Sequence, residues 1–266
     1  MIIKPLITVP FDPSKREERL RSLLESPPIQ SPDDSGVGFS LEKVAQGYRL
    51  HNVLHRGVLY EFDWSGVLLP GDGTATPKSH TQEEWLSHPE YRTLGGVVFD
   101  IPSGPEYAAT IVALYHHRDT KNATQMKLLA EFTSVLAKGF AEYWVMTSTR
   151  TTYTKKGDDA VEHCRWRGDR YSVDAAVAGS NDALTVGVAV EANAWLGVAD
   201  IPEFLAAVQW LTGKDISYVW RCTKEKNDFE RALVLGVSGR FDIDANSSIG
   251  SGRPARGVAV RKKYST

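Results

Sequence analysis

The sequence predicts an α+β protein, a twisted and mainly antiparallel sheet with a few peripheral helices and two long amphipathic β-hairpins. Three observations lead there. Segments of period-two alternation recur along the chain, capped helical stretches are few and far apart, and nothing reads as the strand–helix–strand repeat of a parallel sheet. The longest alternating segment is Ser172–Leu196, whose two arms flank a Gly-Ser-Asn-Asp turn at 179–182. On the second arm Leu184, Val186, Val188, Val190, Ala192, Ala194 and Leu196 form one row, facing away from Ala183, Thr185, Gly187, Ala189, Glu191, Asn193 and Trp195. Soluble strands run to about 5–6 residues, whereas a tilted bilayer-crossing strand needs about 9–11. The arm is long enough for the second, and its pattern also suits a hairpin that roofs a protein core.

With 266 residues the chain can bury a substantial core as one large domain or two small ones. We expect one domain over 1–244 and a flexible basic tail over 245–266. Hydrophobic residues at 42% and charged residues at 24% exclude wholesale disorder. A net charge of −2 excludes a general pull toward nucleic acid or anionic membrane, so any such attraction must be local. Cys164 and Cys222 are too few for a disulfide framework or a zinc ribbon, which points to a reducing compartment. Neither a leader peptide nor an apolar run of about 18 residues is visible, so the expectation is a protein that starts soluble in the cytoplasm.

Taken in order, residues 1–13 read as an edge strand or extended arm broken by Pro5, Pro10 and Pro13. Ser14 and Glu17 form a capping-box pattern for a helix to about Glu25, with Lys15, Arg16, Arg19 and Arg21 on its polar faces. A proline-rich connector fills 26–38. Two strands are expected within 48–69, broken near Arg56-Gly57, then a helix from about Gln82 to Tyr91 that Pro89 interrupts. The second hairpin is expected over 97–117, turning at Pro-Ser-Gly-Pro 102–105, with Tyr107, Ala109, Ile111, Ala113 and Tyr115 on one face. Asn122 caps a helix over about 123–138 that Gly139 stops. A strand over 142–154 carries five threonines that tolerate water on either side. Asp200 and Glu203 open a helix that buries Phe204, Val208 and Leu211 and ends at Gly213. Strands over 216–224 and 231–243 close the ordered part.

No constellation for catalysis or metal binding is complete. His51 and His55 stand four apart without a matching pair of ligands, and Glu61, Asp63 and Asp100 could share a sheet face as acid/base or cation-binding groups. His116-His117-Arg118-Asp119 lacks the glycine-rich loop and metal-binding residues of a kinase. Cys164 beside His163 and Arg165 has no placed base. Arg165, Trp166, Arg167, Arg170 and Tyr171 interleave cations with aromatics as single-strand nucleic-acid surfaces do, yet ordinary sheet faces do so as well. We therefore expect no enzyme, no cofactor and no metal, and we disfavour nucleic acid as a partner.

The order of elements over about 93–225 resembles the pore-forming domain of the gasdermin family, in its short fungal and microbial form. The hairpin at 97–117 runs into the helix at 123–138. Tyr143-Trp144-Val145-Met146-Thr147 is similar to the family's aromatic-Val-Val-Thr strand, and Tyr218-Val219-Trp220-Arg221 is similar to its apolar-aromatic-Arg strand. The resemblance implies a soluble protomer that becomes a homo-oligomeric ring in the membrane, where closure satisfies the strand edges in lipid. Leu184, Val186, Val188 and Val190 would then face lipid, with Tyr171 and Trp195 as interfacial aromatics. Lys15, Arg16, Arg19 and Arg21 would meet anionic membrane lipids. Such a protein permeabilises membranes and causes regulated cell death, restrained here by the tail or by a regulatory partner protein. The alternative expectation is an assembly subunit of a larger particle, using its N-terminal arm and basic C-terminal tail to reach neighbours or nucleic acid.

Overall fold

Side chains that hydrogen-bond the first turn set where most of the helices begin. The computed structural model describes residues 38–69, 78–164 and 171–264. Thr81 and Glu84 close a capping box on α1 (Gln82–Ser87). Ser103 and Glu106 do the same for α2 (Gly104–His116), with proline in its first turn. Asn122 caps α3 (Ala123–Tyr143). A 3-10 turn at Val186–Val188 leads into α4 (Ala189–Leu196). Asp200 caps α5 (Ile201–Thr212), which stops at Gly213 with φ 69°.

In chain order the strands are β1 (Ser40–Val44), β2 (Gly47–His55), β3 (Val58–Ser65), β4 (Thr93–Leu94), β5 (Val97–Val98), β6 (Val145–Tyr153), β7 (Asp159–His163), β8 (Tyr171–Ala175), β9 (Asp182–Ala183), β10 (Ser217–Trp220), β11 (Phe229–Val237), β12 (Phe241–Ser248) and β13 (Val258–Tyr264). They build a four-stranded sheet β1-β2-β3-β13, a seven-stranded sheet β8-β7-β6-β11-β12-β10-β9, and the ribbon β4-β5. Among the described pairings only β10 against β12 is parallel. The α+β class with a mainly antiparallel sheet is as expected.

The main core lies between the two large sheets. α2 touches β2 and β6, and α3 touches β1 and β11, so the two helices form a middle layer. Leu50, Phe62 and Trp64 meet Ile111, Phe132 and Phe140 there, above Leu233, Leu235 and Phe241. A smaller core holding Trp85, Phe99, Ile101, Met146 and Val234 covers the opposite face of β6 and β11. β6 is thereby buried on both faces, and its threonines follow. Thr147, Thr149 and Thr151 are inside, not at water, because each hydroxyl has an internal partner: Thr147 donates to the Leu233 carbonyl at 2.7 Å, and Thr151 accepts from the Trp195 indole at 2.9 Å.

Neither expected hairpin is present. At 97–117 the pattern is read by the capping box Ser103/Glu106, and Tyr107, Ala108, Ile111 and Leu114 make a buried helical stripe. At 182–196 only Asp182–Ala183 is strand; after a bend at Leu184 and Thr185 come the 3-10 turn and α4. The row opposite the valines mixes Ala183, Gly187, Ala189 and Trp195 with Thr185, Glu191 and Asn193, so the alternation did not cleanly separate apolar from polar. An Ala-rich segment that is apolar all round becomes a buried helix, and α4 buries seven of its eight residues. Leu184 (3% exposed), Val188 (3%) and Val190 (8%) lie in the core while Val186 (48%) faces out, so these four do not form one face. Trp195 is fully buried rather than interfacial, and Tyr171 stacks on His163 and carries the Arg56 guanidinium 3.7 Å from its ring centre.

Two further expectations change. α3 runs on through Gly139, where a Cβ would stand 3.1 Å from the Arg256 guanidinium, so this glycine makes room for a side chain and does not stop the helix. The segment after 244 is no flexible tail: β12 continues to Ser248, and β13 pairs with β3 from Val258↔Trp64 to Tyr264↔Leu59. Between them Arg256 is buried, donates to the carbonyls of Ser65 and Val135, and is pushed down to about 10 by burial. The arm and the basic helix with Lys15, Arg16, Arg19 and Arg21 lie outside the described residues.

One histidine ties several elements together. The backbone N–H of Gly104 donates to Thr149 Oγ1 at 2.9 Å, the Thr149 hydroxyl donates to His163 Nδ1 at 2.8 Å, and His163 Nε2 donates to the Ala194 carbonyl at 3.1 Å. A Cβ on Gly104 would meet the Trp195 carbonyl oxygen at 2.1 Å, so α2 and α4 touch backbone to backbone here. The chain of donors needs neutral imidazole, and burial lowers His163 from 6.5 to about 4. Because the unfolded chain takes the proton first, this contribution is complete above about 6.5 and is lost as pH falls toward about 4, by roughly 3 kcal/mol. Urea unfolding at pH 7 and pH 5 should show the decline, and His163→Gln, which can accept and donate at the same two places, should flatten it.

Candidate ligand-binding cleft

Charged residues that end up inside a protein need partners, and the segment after β10 supplies them. Glu191 on α4 is 1% exposed, and the Arg221 guanidinium reaches its carboxylate. Arg221 also donates through Nε to the Ser180 carbonyl at 2.6 Å, and its backbone N–H donates to Asn181 Oδ1 at 2.7 Å. Gly179 lets the guanidinium pass, since a Cβ there would stand 3.0 Å from its central carbon. Three residues on, Lys224 donates to Asp159 Oδ1 at 2.8 Å and to the carbonyls of Thr154 and Gly157. Asp159 is fully buried and accepts backbone N–H bonds from Thr154, Val177 and Ala178 as well. The irregular stretch Arg221–Lys224 is therefore fastened at both ends by ion pairs to buried carboxylates.

Cys222 and Thr223 sit between those fastenings, on the wall of a cleft of about 350 Å³ shared with Gly179, Ser180, Asn181, Glu225, Arg231 and Asn246. The Cys222 thiol donates to Asn246 Oδ1 at 2.8 Å. Burial pushes its pKa up, against the opposing pull of the adjacent Arg231 guanidinium. It is a protonated hydrogen-bond donor at neutral pH, not a nucleophile, and the cleft lining contains no histidine to serve as base. Arg231 gives one N–H to the Glu230 carbonyl and has no carboxylate partner among the described residues. The cleft thus offers the Arg231 guanidinium, two amides, two hydroxyls and backbone groups, with the Glu225 carboxylate beside them.

The residues singled out from sequence do not assemble. His51 lies between Glu42 and Glu61, whereas His55 is buried against Tyr60 and Phe62, because Asn52 at φ 58° shifts the register between them. Asp63 pairs with Arg49 at 2.8 Å and Asp100 with Arg92 at 3.4 Å, so the three carboxylates are separately engaged. His116 pairs with Glu203, and His117 packs on Phe39. Cys164 is buried, and both nitrogens of His163 are committed elsewhere. No group of three or more His, Cys, Asp or Glu among the described residues could hold a metal, and no described helix is long and apolar enough to cross a membrane. Residues 165–170 lie outside the described part. What sequence reasoning missed was Glu191 with Arg221 and Asp159 with Lys224. The available signal was a lone carboxylate in the apolar run 183–198, which cannot be buried without a cation.

No protein-family model, curated protein or solved structure matches this chain.

The pair at the cleft wall can be measured. Glu191→Gln leaves Arg221 buried beside a neutral group and should cost about 3–5 kcal/mol. Glu191→Gln with Arg221→Met should recover a large part of that loss. Urea unfolding of the four proteins of this cycle gives the coupling, and simple additivity would show that the two side chains act independently.

Proposed function

We propose that this protein is a non-catalytic binding protein that takes a small anionic ligand in the cleft beside Cys222. The observation that carries the reading is Arg231: a guanidinium over the Phe229 ring with no carboxylate partner among the described residues, on the wall of a cleft whose neighbouring segment is tied by ion pairs to two buried carboxylates. A rigid wall lowers the ordering cost of binding, and a planar guanidinium matches an oxyanion with two parallel N–H groups. A volume of about 350 Å³ falls in the range of small-molecule sites, roughly 300–1,000 Å³.

Pore formation through 184–196 stands as the competing proposal, and it requires α4 to leave the core together with Trp195 and the Glu191–Arg221 pair. Assembly into a larger particle through the C-terminal segment would likewise require β13 to separate from β3. Ligand capture requires neither.

Calorimetric titration with inorganic phosphate at low ionic strength tests the reading. Binding should be detectable and should weaken about 10- to 100-fold in Arg231→Gln. Equal binding by both proteins, or none by wild type, overturns it. Dye release from acidic-lipid vesicles by the same preparation would instead favour the pore.

A further inference from the structure

The cleft that presents Arg231 also carries a carboxylate. Glu225 lines it, is exposed, and makes no ion pair with any described residue, Arg231 included. Both charges act on the Cys222 thiol and in opposite senses, Arg231 favouring the thiolate and Glu225 opposing it. They therefore stand near one sulfur atom without pairing with each other. Arg221 and Lys224 are committed to Glu191 and Asp159, and Lys226 is not part of the lining. A carboxylate left in this state repels an oxyanion that enters beside it. The two asparagines of the lining spend their carbonyl oxygens inside the protein: Asn181 Oδ1 accepts from the Arg221 backbone N–H at 2.7 Å, and Asn246 Oδ1 accepts from the Cys222 thiol at 2.8 Å. Each keeps an NH2 group for which no described residue supplies an acceptor.

We infer that the cleft ligand carries an ammonium group as well as its oxyanion, the oxyanion held by Arg231 and the ammonium by Glu225. This rests on the cleft reading above and specifies the ligand's second charge. The lining divides accordingly: a guanidinium and two amide NH2 groups donate to an oxyanion, and one carboxylate accepts from an ammonium. Simpler occupants fit worse. A plain oxyanion gains Arg231 but meets Glu225, whereas a metal cation gains Glu225 but meets Arg231, and a single carboxylate is too small a ligand set for a divalent ion. A molecule bearing both charges satisfies both groups at once. The spacer between its charges is short, because the two protein charges act on the same thiol. Amino acids and aminoalkyl phosphates share this chemistry.

The test is calorimetric titration of the full chain, at low ionic strength and pH 8, with two matched pairs: phosphoethanolamine against ethyl phosphate, and β-alanine against propanoate. Both phosphates are then dianions, so each pair differs by the ammonium alone. The amine should bind about fivefold more tightly than its partner, the factor expected of one exposed ion pair, and the tighter of the two amines identifies the oxyanion. Glu225→Gln should erase the preference without weakening ethyl phosphate, since Glu225 makes no ion pair within the protein. Glu225→Asp, which keeps the charge on a shorter arm, should retain part of it. Equal binding within both pairs overturns the inference and leaves the cleft reading standing. A preference that survives Glu225→Gln overturns the assignment to Glu225, and absence of binding by all four compounds overturns the inference and the cleft reading together.

Discussion

Glu191 sits where water does not reach, at 1% exposure, and an ionised carboxylate in such a place demands a cation delivered along a defined path. Arg221 is that cation, and delivering it has effects in three directions. α4 is joined to the end of β10, the loop at 179–181 must be small enough to let the guanidinium pass, and the residues after Trp220 leave the sheet on a fixed course. The second ion pair, Lys224 with Asp159, repeats the arrangement from the other side and connects the same segment to β7 and to the backbone at 177–178. Ion pairs made to a buried carboxylate contribute little net stability. Their effect here is positional, since they hold an irregular stretch of chain at the cleft wall with the definition usually reserved for a strand.

The same logic of interior polar groups runs through β6. A strand covered on both faces is commonly a run of Val, Ile and Leu, but β6 reads VMTSTRTTY. It tolerates three buried threonines because neighbouring elements present complementary atoms: the Leu233 carbonyl, the His163 ring and the Trp195 indole. Each of those bonds reaches a different element, so the strand that looks most polar in sequence is the one through which α2, α4, β7 and β11 are registered against one another.

How much of this was legible depended on whether the deciding interaction was local. Asn122, Asp200 and Gly213 act on their own turns, and the helix ends they set lie where the sequence predicts them. Ser103 and Glu106 are equally local, but the intervening Gly-Pro resembles a hairpin turn, and the helix was hidden by it. Period two misled at 184–196 because the row opposite Val and Leu includes Gly187, Ala189 and Trp195 beside its polar members, which leaves too little contrast in polarity to fix a strand. Gly139, read as a helix stop, answers instead to Arg256, more than a hundred residues away. The cleft was illegible for the same reason. Its wall gathers residues from 179–181, 221–225, 231 and 246, and nothing in any of those stretches announces the others.

The place of β13 bears on how the chain reaches its folded state. Ser65 and Gly257 are hydrogen-bonded across a sequence separation of 192, and the pairing beyond them completes the sheet that β1, β2 and β3 begin. A chain emerging from the ribosome exposes β1–β3 before β13 exists, with β3 as an open edge that cannot be closed until the chain has run the 192 residues from Ser65 to Gly257. Closing so long a loop is slow, and an unsatisfied edge invites pairing with other chains in the meantime. During biosynthesis, then, the vulnerable surface of this protein is the flank of β3, and the strand that finally shields it arrives only after every element between them.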